Sequence, residues 1–578
     1  MRARAVVRRL TINDGTTVDV PESGVVLIVG PNNTGKSQAL RDVIKLMTSS
    51  GEPGIVIREA EIEHFGSEDD LIETFASDRA ILRTATGADQ AHLGVHGVQA
   101  ISSIRQWWSS PHARHLVGGY FAIHADTESR LEASKPAPSM DLYENSPSHP
   151  LHHVYANPEL ETRLNDISRR AFNSGLILDA WSGGNQWAFR VGNIDPPDSP
   201  RPSVAYLDEL RKAPLLHQVG DGVRSMLGLL LRFYTGHQNI SLIDEPEAFL
   251  HPPQARYIAR LLADEAATTE RSILVGTHST EIVHGVLESS ASATLVRLSR
   301  NRTINNAAVL DNDAVRKLWS DPLLRYSNLL DGLFTDAVIV CEADADCKYF
   351  AAVRDTFEDE AVESRRPDIL FTSCGGKHKM HAAVEALVAA SVPVAVICDF
   401  DTLNEWATLR RLFVSAGGDP GLIETDWKIL NAALTSGDRN PSKMGVKESL
   451  DRSFDAIEEP ELTRKNIESL RRVLRIENGW DRVKNSGKSA VPAGDPYRAC
   501  ERIIAALADR RIHLVPVGEM EDLVPAVGGH GAAWVAEVLE QGLHNSPDSD
   551  GARVLMRAVL DSLDRGDADA VVEEGADA

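Results

Sequence analysis

Cysteine is scarce in this chain of 578 residues: there are five, none before residue 341, and none forms a C-x-x-C pair. That pattern excludes a disulfide framework and a thiolate zinc module, and it predicts reduced thiols in a cytoplasmic protein. Long apolar runs are missing too. No stretch reaches the ~20 residues that a membrane-spanning helix needs, and the first residues lack a signal-peptide core. No internal repeat is present, and no long heptad pattern separates the motif near 30 from those after 220. The coiled-coil arm of chromosome-structuring ATPases is thereby excluded. Cations are outnumbered, with 60 Lys and Arg against 84 Asp and Glu, a formal charge of −24. That argues against a protein basic over its whole surface. A local basic groove stays open, because the field in a cleft follows charge placement and not the total.

What is present reads as an ordinary soluble globular composition, long enough for roughly two to four domains. Val25 to Val29 is a short apolar strand, followed by Gly30-Pro-Asn-Asn33-Thr-Gly35-Lys36-Ser37 and then a helical pattern. This is a P-loop in its required context of strand, glycine-bounded turn and helix. Gly30, Asn33 and Gly35 shape a turn whose backbone N–H groups face phosphates. Lys36 is expected to reach the β- and γ-phosphates of ATP, and Ser37 to ligate Mg²⁺. The partner element is Ile240-Ser-Leu-Ile-Asp244-Glu245-Pro-Glu, where an apolar strand delivers Asp244 to the metal and Glu245 to the attacking water as general base. His278, at the end of the run Ser272-Ile-Leu-Val-Gly-Thr, is positioned to sense the γ-phosphate.

A second set of acids lies downstream. Ala337-Val-Ile-Val-Cys-Glu342-Ala-Asp-Ala-Asp346 and Val394-Ala-Val-Ile-Cys-Asp399-Phe-Asp401 are both short apolar runs ending in carboxylates. Acids at the C-terminal ends of buried strands sit at the mouth of an α/β sheet, where ligands bind. Glu342, Asp346, Asp399 and Asp401 are therefore candidate ligands for hard divalent cations, Mg²⁺ or Mn²⁺, and for two-metal phosphodiester hydrolysis. Polar loops after strands would explain the same acids without a metal.

The order of P-loop, Gly220-Asp-Gly222-Val-Arg224-Ser225 and acid pair resembles the ATP-binding-cassette (ABC) class, with residues 220–225 in the place of the signature loop. The Ser-Gly-Gly core of transporter signatures is absent, and no membrane domain accompanies it. The segment from 335 to 401 resembles a Toprim domain, with Ala343 where that family usually has glycine. Ser373-Cys-Gly375-Gly376-Lys377 is similar to its intervening Gly-Lys element, and Asp399-Phe-Asp401 to its Asp-x-Asp strand end. Cassette ATPase followed by Toprim resembles the overcoming-lysogenization-defect (OLD) endonuclease family, whose layout the nuclease subunit of Gabija anti-phage systems shares. The resemblance implies an α/β fold: an ABC-type ATPase domain over 1–330, with a helical insertion at about 50–205 that is a possible dimerisation region. A Toprim nuclease domain follows over 331–560, with a helical insertion at about 402–510, and then an acidic tail over 561–578.

It also implies ATP and Mg²⁺ or Mn²⁺ as cofactors, DNA as substrate, a homo-oligomer (dimer or tetramer), a helper protein encoded nearby, and a role in antiviral defence. Glu521, within Val517-Gly-Glu-Met-Glu-Asp522, is similar to a late acidic element and becomes a further metal ligand on that reading; an ordinary acidic loop fits as well. The family also has a late lysine, for which Lys484 and Lys488 are candidates by their charge alone. The basic stretch Arg464 to Lys488 suits a DNA path or a solvated helix face. His149, His152 and His153 in a Pro/Ser-rich loop are a weaker metal candidate, and Trp107 and Trp108 read as packing or an interface. Two other functions use the same motifs: a topoisomerase or primase, for which no nucleophilic tyrosine module is found, and a DNA-repair ATPase that remodels partners with Toprim as a binding module.

Overall fold

The computed structural model describes residues 2–573 apart from 79, 84–88, 94–96, 143–146, 183, 196–201, 302–303, 321–327, 358–366, 436–442, 456–469 and 471–478. The chain divides into two compact units, Met1–Tyr326 and Ser327–Ala578.

In the first unit, β1 (Arg4–Ile12), β2 (Thr17–Asp19) and β4 (Ile57–Phe65) form a small antiparallel sheet in the order β2-β1-β4. The central six-stranded sheet contains β3 (Gly24–Val29), β5 (Ala122–Ala125), β6 (Ile240–Asp244), β7 (Ser272–Gly276), β8 (Ala293–Asn301) and β9 (Ile304–Leu310). Their order is β9-β8-β3-β7-β6-β5, parallel except for the β8–β9 hairpin. Every residue of β3, β6 and β7 is buried, which is why these strands read as unbroken apolar runs: a parallel sheet is covered on both faces. The register sets Asp244 opposite Gly276 at the edge where β3 runs into the P-loop. Three helices matter for the site: α1 (Lys36–Thr48), α2 (Thr127–Ala133) and α3 (Asp221–Thr235).

The segment 50–205 differs from a helical insertion. It supplies β4 to the N-terminal sheet and β5 to the central sheet, where Ile123, His124 and Ala125 pair with Ser241, Leu242 and Ile243. The segment therefore belongs to the ATPase core and not only to an added lobe. Within it, Trp108 is buried and donates its indole N–H to the Gly66 carbonyl at 3.0 Å, so it is packing. Buried His152 accepts the Ser148 and His149 N–H groups on Nδ1 and meets the Pro138 carbonyl through Nε2 at 2.9 Å. His149 accepts the Leu151 N–H. Two of the three histidines thus serve as helix-start caps.

The second unit is built on a wholly parallel sheet of β10 (Ala337–Cys341), β11 (Ile369–Ser373), β12 (Val394–Cys398) and β13 (Ile512–Leu514), ordered β11-β10-β12-β13. Because all four strands point the same way, the loops after them meet at one edge of the sheet. Helices α4 (Asp344–Asp355), α5 (Gly479–Ser486), α6 (Gly531–Glu540) and α7 (Asp550–Glu573) flank that edge or cover the sheet. Tyr349, Phe350 and Val353 of α4 share a buried core with Trp534, Val535 and Val538 of α6 and with Met556 and Val559 of α7. Ser562 and Leu563 are buried and α7 continues to Glu573, so the acidic tail does not begin at 561. The side chains beyond 564 and residues 574–578 lie outside the described residues. The segment 402–510 is helical among the described residues, but most of the basic stretch from Arg464 lies outside them. All five cysteines are free and buried. Among the described residues no helix is long and apolar enough to cross a membrane.

Trp534 anchors α6 to α4, its ring edge-on to Tyr349 at 5.0 Å between centroids. Its side chain is fully buried, so Trp534→Ala should cost the second unit about 3–5 kcal/mol, the usual range for emptying an aromatic core site. Urea unfolding followed by a probe in this unit checks it. A loss below about 1 kcal/mol would mean that the α4–α6 contact does not hold the unit together.

Candidate functional site

The first site forms where β3, β6 and β7 end. Gly30, Asn33 and Gly35 all have left-handed backbone (φ 139°, 65° and 91°), which bends the turn so that α1 starts directly after Gly35. A side chain at Gly35 would run into Val56 and Asn305, and the Asn305 amide donates to the Thr34 carbonyl at 2.5 Å, bracing the loop from β9. Lys36 is buried, and its ammonium donates to the Gly30 and Pro31 carbonyls at 2.7 Å each. Burial lowers its pKa to about 8 against the opposing pull of Glu245, Glu247 and Asp244. Ser37 donates to Asp244 at 2.9 Å, the pairing needed if a cation is to bridge the loop and the strand end. Burial also raises the Asp244 pKa.

Glu245 stands with φ 47°, a conformation uncommon for a side-chain-bearing residue. Its carboxylate is 3.5 Å from His278 Nε2. Burial and then Lys36 lower the His278 pKa, which favours the neutral imidazole. Sequence reading gave no role to Glu247. Its carboxylate accepts the Thr277 hydroxyl and the His278 N–H, both at 2.8 Å, and so fixes the turn that presents His278. The only sequence signal was its place two residues after Glu245. Gly222 lies against the turn after the acid pair, where a Cβ would press on the Phe249 carbonyl.

The second site collects the four loops at the carboxyl edge of the Toprim sheet. Glu342 and Asp399 lie side by side, close enough for their carboxyls to interact directly. Burial, then the Glu342 charge, pushes the Asp399 pKa up to about 9, and burial raises that of Glu342 as well. Asp346, at the start of α4, accepts the Ala343 N–H at 2.9 Å. Burial first, with Glu342 and Glu521 adding repulsion, brings its pKa to about 6. Asp401 is engaged differently, held by Lys377 at 3.1 Å, while the same ammonium lies 3.8 Å from Glu405. The Gly-Lys turn is tied in by the Gly376 N–H, which donates to the Glu342 carbonyl at 2.9 Å.

The late acidic segment joins this edge through the Phe400 N–H, which donates to the Gly518 carbonyl at 3.0 Å. Gly518 has φ 125°, and a Cβ there would strike the Lys484 carbonyl, so α5 and the acid-bearing loop touch backbone to backbone. Lys484 reaches Glu519 at 3.0 Å and senses Asp401 and Asp399, whereas Lys488 turns away to Glu501 at 3.1 Å. Of the two candidate lysines, the structure brings Lys484 to the acids. Among the described residues, one trio of possible ligands already has its atoms within 4.8 Å of one another: Glu519, Glu521 and His530. Glu519 and His530 went unnoticed in the sequence because neither belongs to a strand-end pattern. Among the described residues the strand-end acids do not form such a trio, and Asp401 is drawn to Lys377. The donor set is nonetheless one of hard carboxylate oxygens whose mutual repulsion a divalent cation would relieve, so it fits Mg²⁺ or Mn²⁺.

Residues 25–284 match a family model described as an AAA domain (AAA_21), and residues 333–401 match that of the Toprim domain of overcoming-lysogenization-defect-like proteins. Several solved structures resemble part of the chain, three of them as follows. The SMC head domain from Thermotoga maritima is 14% identical, covers 54% of this chain and 100% of its own, with a TM-score of 0.28. The Smc head domain with an extended coiled coil bound to the C-terminal domain of ScpA, from Pyrococcus furiosus, is 10% identical, covering 54% and 98% with a TM-score of 0.29. CbiO1 from Clostridium perfringens, part of the ABC transporter complex cbiONQ, is 13% identical, covering 51% and 83% with a TM-score of 0.25. No curated protein matches the chain. An AAA-type ATPase domain and a Toprim domain thus follow one another on a single polypeptide, and the chain is an ATPase–Toprim protein that resembles the OLD family.

Proposed function

We propose that the chain is an ATP-regulated, divalent-metal-dependent DNA endonuclease whose Toprim unit hydrolyses phosphodiester bonds. The observation that carries this reading is the buried Glu342–Asp399 pair, two carboxyls side by side at a sheet edge that also carries Asp346, Asp401 and Glu521. A pure binding module has no need of such an arrangement, because burying like charges together is unfavourable unless cations or protons offset them. Glu342, Asp346, Asp399, Asp401 and Glu521 are the residues that would hold Mg²⁺ or Mn²⁺, with Glu519 and His530 beside them. When bound, such cations would supply Lewis-acid stabilisation to the oxygens of the scissile phosphodiester. Lys377 keeps Asp401 oriented, and Lys484, held by Glu519, offers a positive charge to the DNA backbone.

In the ATPase unit Lys36 and Ser37 would bind the nucleotide phosphates and Mg²⁺, Asp244 would orient that cation, Glu245 would act on water, and His278 would face the γ-phosphate. Cassette-type sites are completed by a second copy, so a cytoplasmic homo-oligomer is part of this reading, as is a helper protein encoded nearby. A role in anti-phage defence rests on family resemblance alone.

Replacing the pair tests the assignment. Asp399→Asn and Glu342→Gln should each lower plasmid nicking and linearisation with Mg²⁺ or Mn²⁺ by at least about 100-fold while ATP turnover stays within about two-fold. Cleavage at the wild-type rate in either variant would remove these acids from the reaction. In the other unit, Glu245→Gln should slow ATP turnover about 10²- to 10⁴-fold without weakening nucleotide binding, whereas Lys36→Ala should weaken binding itself. Unchanged turnover in the glutamine variant would show that Glu245 is not the base.

The raised carboxyl pKa values also fix a pH dependence. A group whose pKa rises on folding stabilises the fold while protonated, fully below its unfolded value of 3.8, and loses that contribution as pH climbs through about 9 for Asp399. The metal-free second unit should therefore lose stability from about pH 4 to about pH 9. The rise in melting temperature on adding Mn²⁺ should grow over the same window, since binding requires the deprotonated acids. Differential scanning fluorimetry reads both slopes. A Mn²⁺ shift larger at the acidic end would contradict the assignment.

A further inference from the structure

Arg130, on α2 within the segment 50–205, is fully buried in the ATPase unit. Arginine is almost never placed there without partners. Its partners are main-chain oxygens: Nη1 donates to the Asp244 carbonyl at 2.6 Å, and Nη2 donates to the Glu245 carbonyl at 3.1 Å and to the Thr127 hydroxyl at 3.0 Å. The charge is offset by the nearby carboxylates of Glu247, Asp244, Asp126 and Glu245. Nε is buried and without a hydrogen-bond partner, so the guanidinium is seated for those two carbonyls and not for complete satisfaction of its donors.

The two carbonyls belong to the peptide groups on either side of the Glu245 Cα. Their orientation fixes the backbone angles of Glu245, and hence the direction in which its carboxylate leaves the strand. Glu245 holds φ 47°, and an uncommon conformation of this kind persists only when its surroundings over-determine it. The Glu245 N–H donates to the Gly276 carbonyl at 2.8 Å, and its own carbonyl accepts the Ala248 N–H at 3.0 Å; Arg130 adds the charged donor. The same residue touches α3 from its other side, since a Cβ at Gly228 would collide with the Arg130 carbonyl. Gly228 lies within the helix that Gly220 caps, so the backbone of Arg130 packs on the helix behind the Gly220–Ser225 loop while its side chain grips the acid-bearing turn.

We propose that Arg130 is a positioning residue for ATP hydrolysis, which sets the angle of Glu245 toward the nucleotide and links that angle to the position of the helix behind the Gly220–Ser225 loop. The proposal rests on the reading of Glu245 as the residue that acts on water. It predicts a defect in turnover and not in nucleotide capture, because Lys36 and Ser37 belong to α1 and are held by the Gly30 and Pro31 carbonyls and the Asp244 side chain.

The test is steady-state ATPase kinetics on the full chain, with binding of a non-hydrolysable ATP analogue measured in parallel. Arg130→Met, similar in reach but unable to donate, should lower kcat about 10- to 100-fold, the scale of a misplaced catalytic group, with KM and analogue affinity within about three-fold of wild type. Arg130→Lys, which keeps the charge but not the fork, should recover part of kcat, and it serves as the test variant if the methionine variant does not fold. In a Glu245→Gln background the Arg130 substitution should add little further loss, because both act on one step. A wild-type kcat, a change confined to KM, or an undiminished further loss in the Glu245→Gln background would overturn the proposal. Wild-type turnover in Glu245→Gln alone would instead overturn the reading of Glu245 on which it stands.

Discussion

Two buried carboxyls cannot ionise freely at one sheet edge, and the rest of the second unit is arranged around that constraint. Burial and the Glu342 charge raise the Asp399 pKa, burial raises that of Asp346, and among the described residues Lys377 and Lys484 bring positive charge to the acids. Such a site is costly in the absence of cations, and on the proposed reading that is its use: the repulsion becomes affinity for hard divalent ions.

The two units solve the same positioning problem in the same way. In each, fully buried parallel strands end together, and the residues that follow face one another across the sheet edge. Asp244 meets Ser37 because β6, β7 and β3 are in parallel register; Asp399 meets Glu342 because β12 lies beside β10. What differs is the compensation. The ATPase unit brings a cation from the P-loop and a buried arginine from α2, whereas the Toprim unit sets Lys377 against Asp401 and Lys484 against Glu519 and leaves Glu342 and Asp399 packed against each other.

Most of this was legible in the sequence where chemistry and structure share a short stretch of chain. The P-loop, the acid pair at 244–245 and the strands ending at Cys341 and Cys398 all announce themselves as apolar runs followed by charged or glycine-rich turns, because a buried parallel strand must be apolar along its length. Legibility failed where a role depends on distant partners. β5 is only four residues, Ala-Ile-His-Ala, too short for a period-2 pattern, so the segment 50–205 read as an insertion while it was completing the central sheet. Lys484 and Lys488 are equivalent as letters and are separated only by which carboxylate each reaches, Glu519 or Glu501. Arg130 reads as a surface cation until its carbonyl partners, 114 and 115 residues further on, are seen. Glu519 and His530 join Glu521 through the fold of a loop and not through any strand pattern.

The central claim is that the Toprim edge is a site for divalent cations and that its carboxylates are the ligands. Counting bound Mn²⁺ by electron paramagnetic resonance on the nucleotide-free full chain, at a pH near 9 where Asp399 can ionise, tests it most directly. The account predicts about two tightly bound ions per chain, as a two-metal site requires, with at least one lost when Glu342→Gln and Asp399→Asn are combined. A chain that binds no Mn²⁺ tightly, or binds the same number after both substitutions, would contradict it.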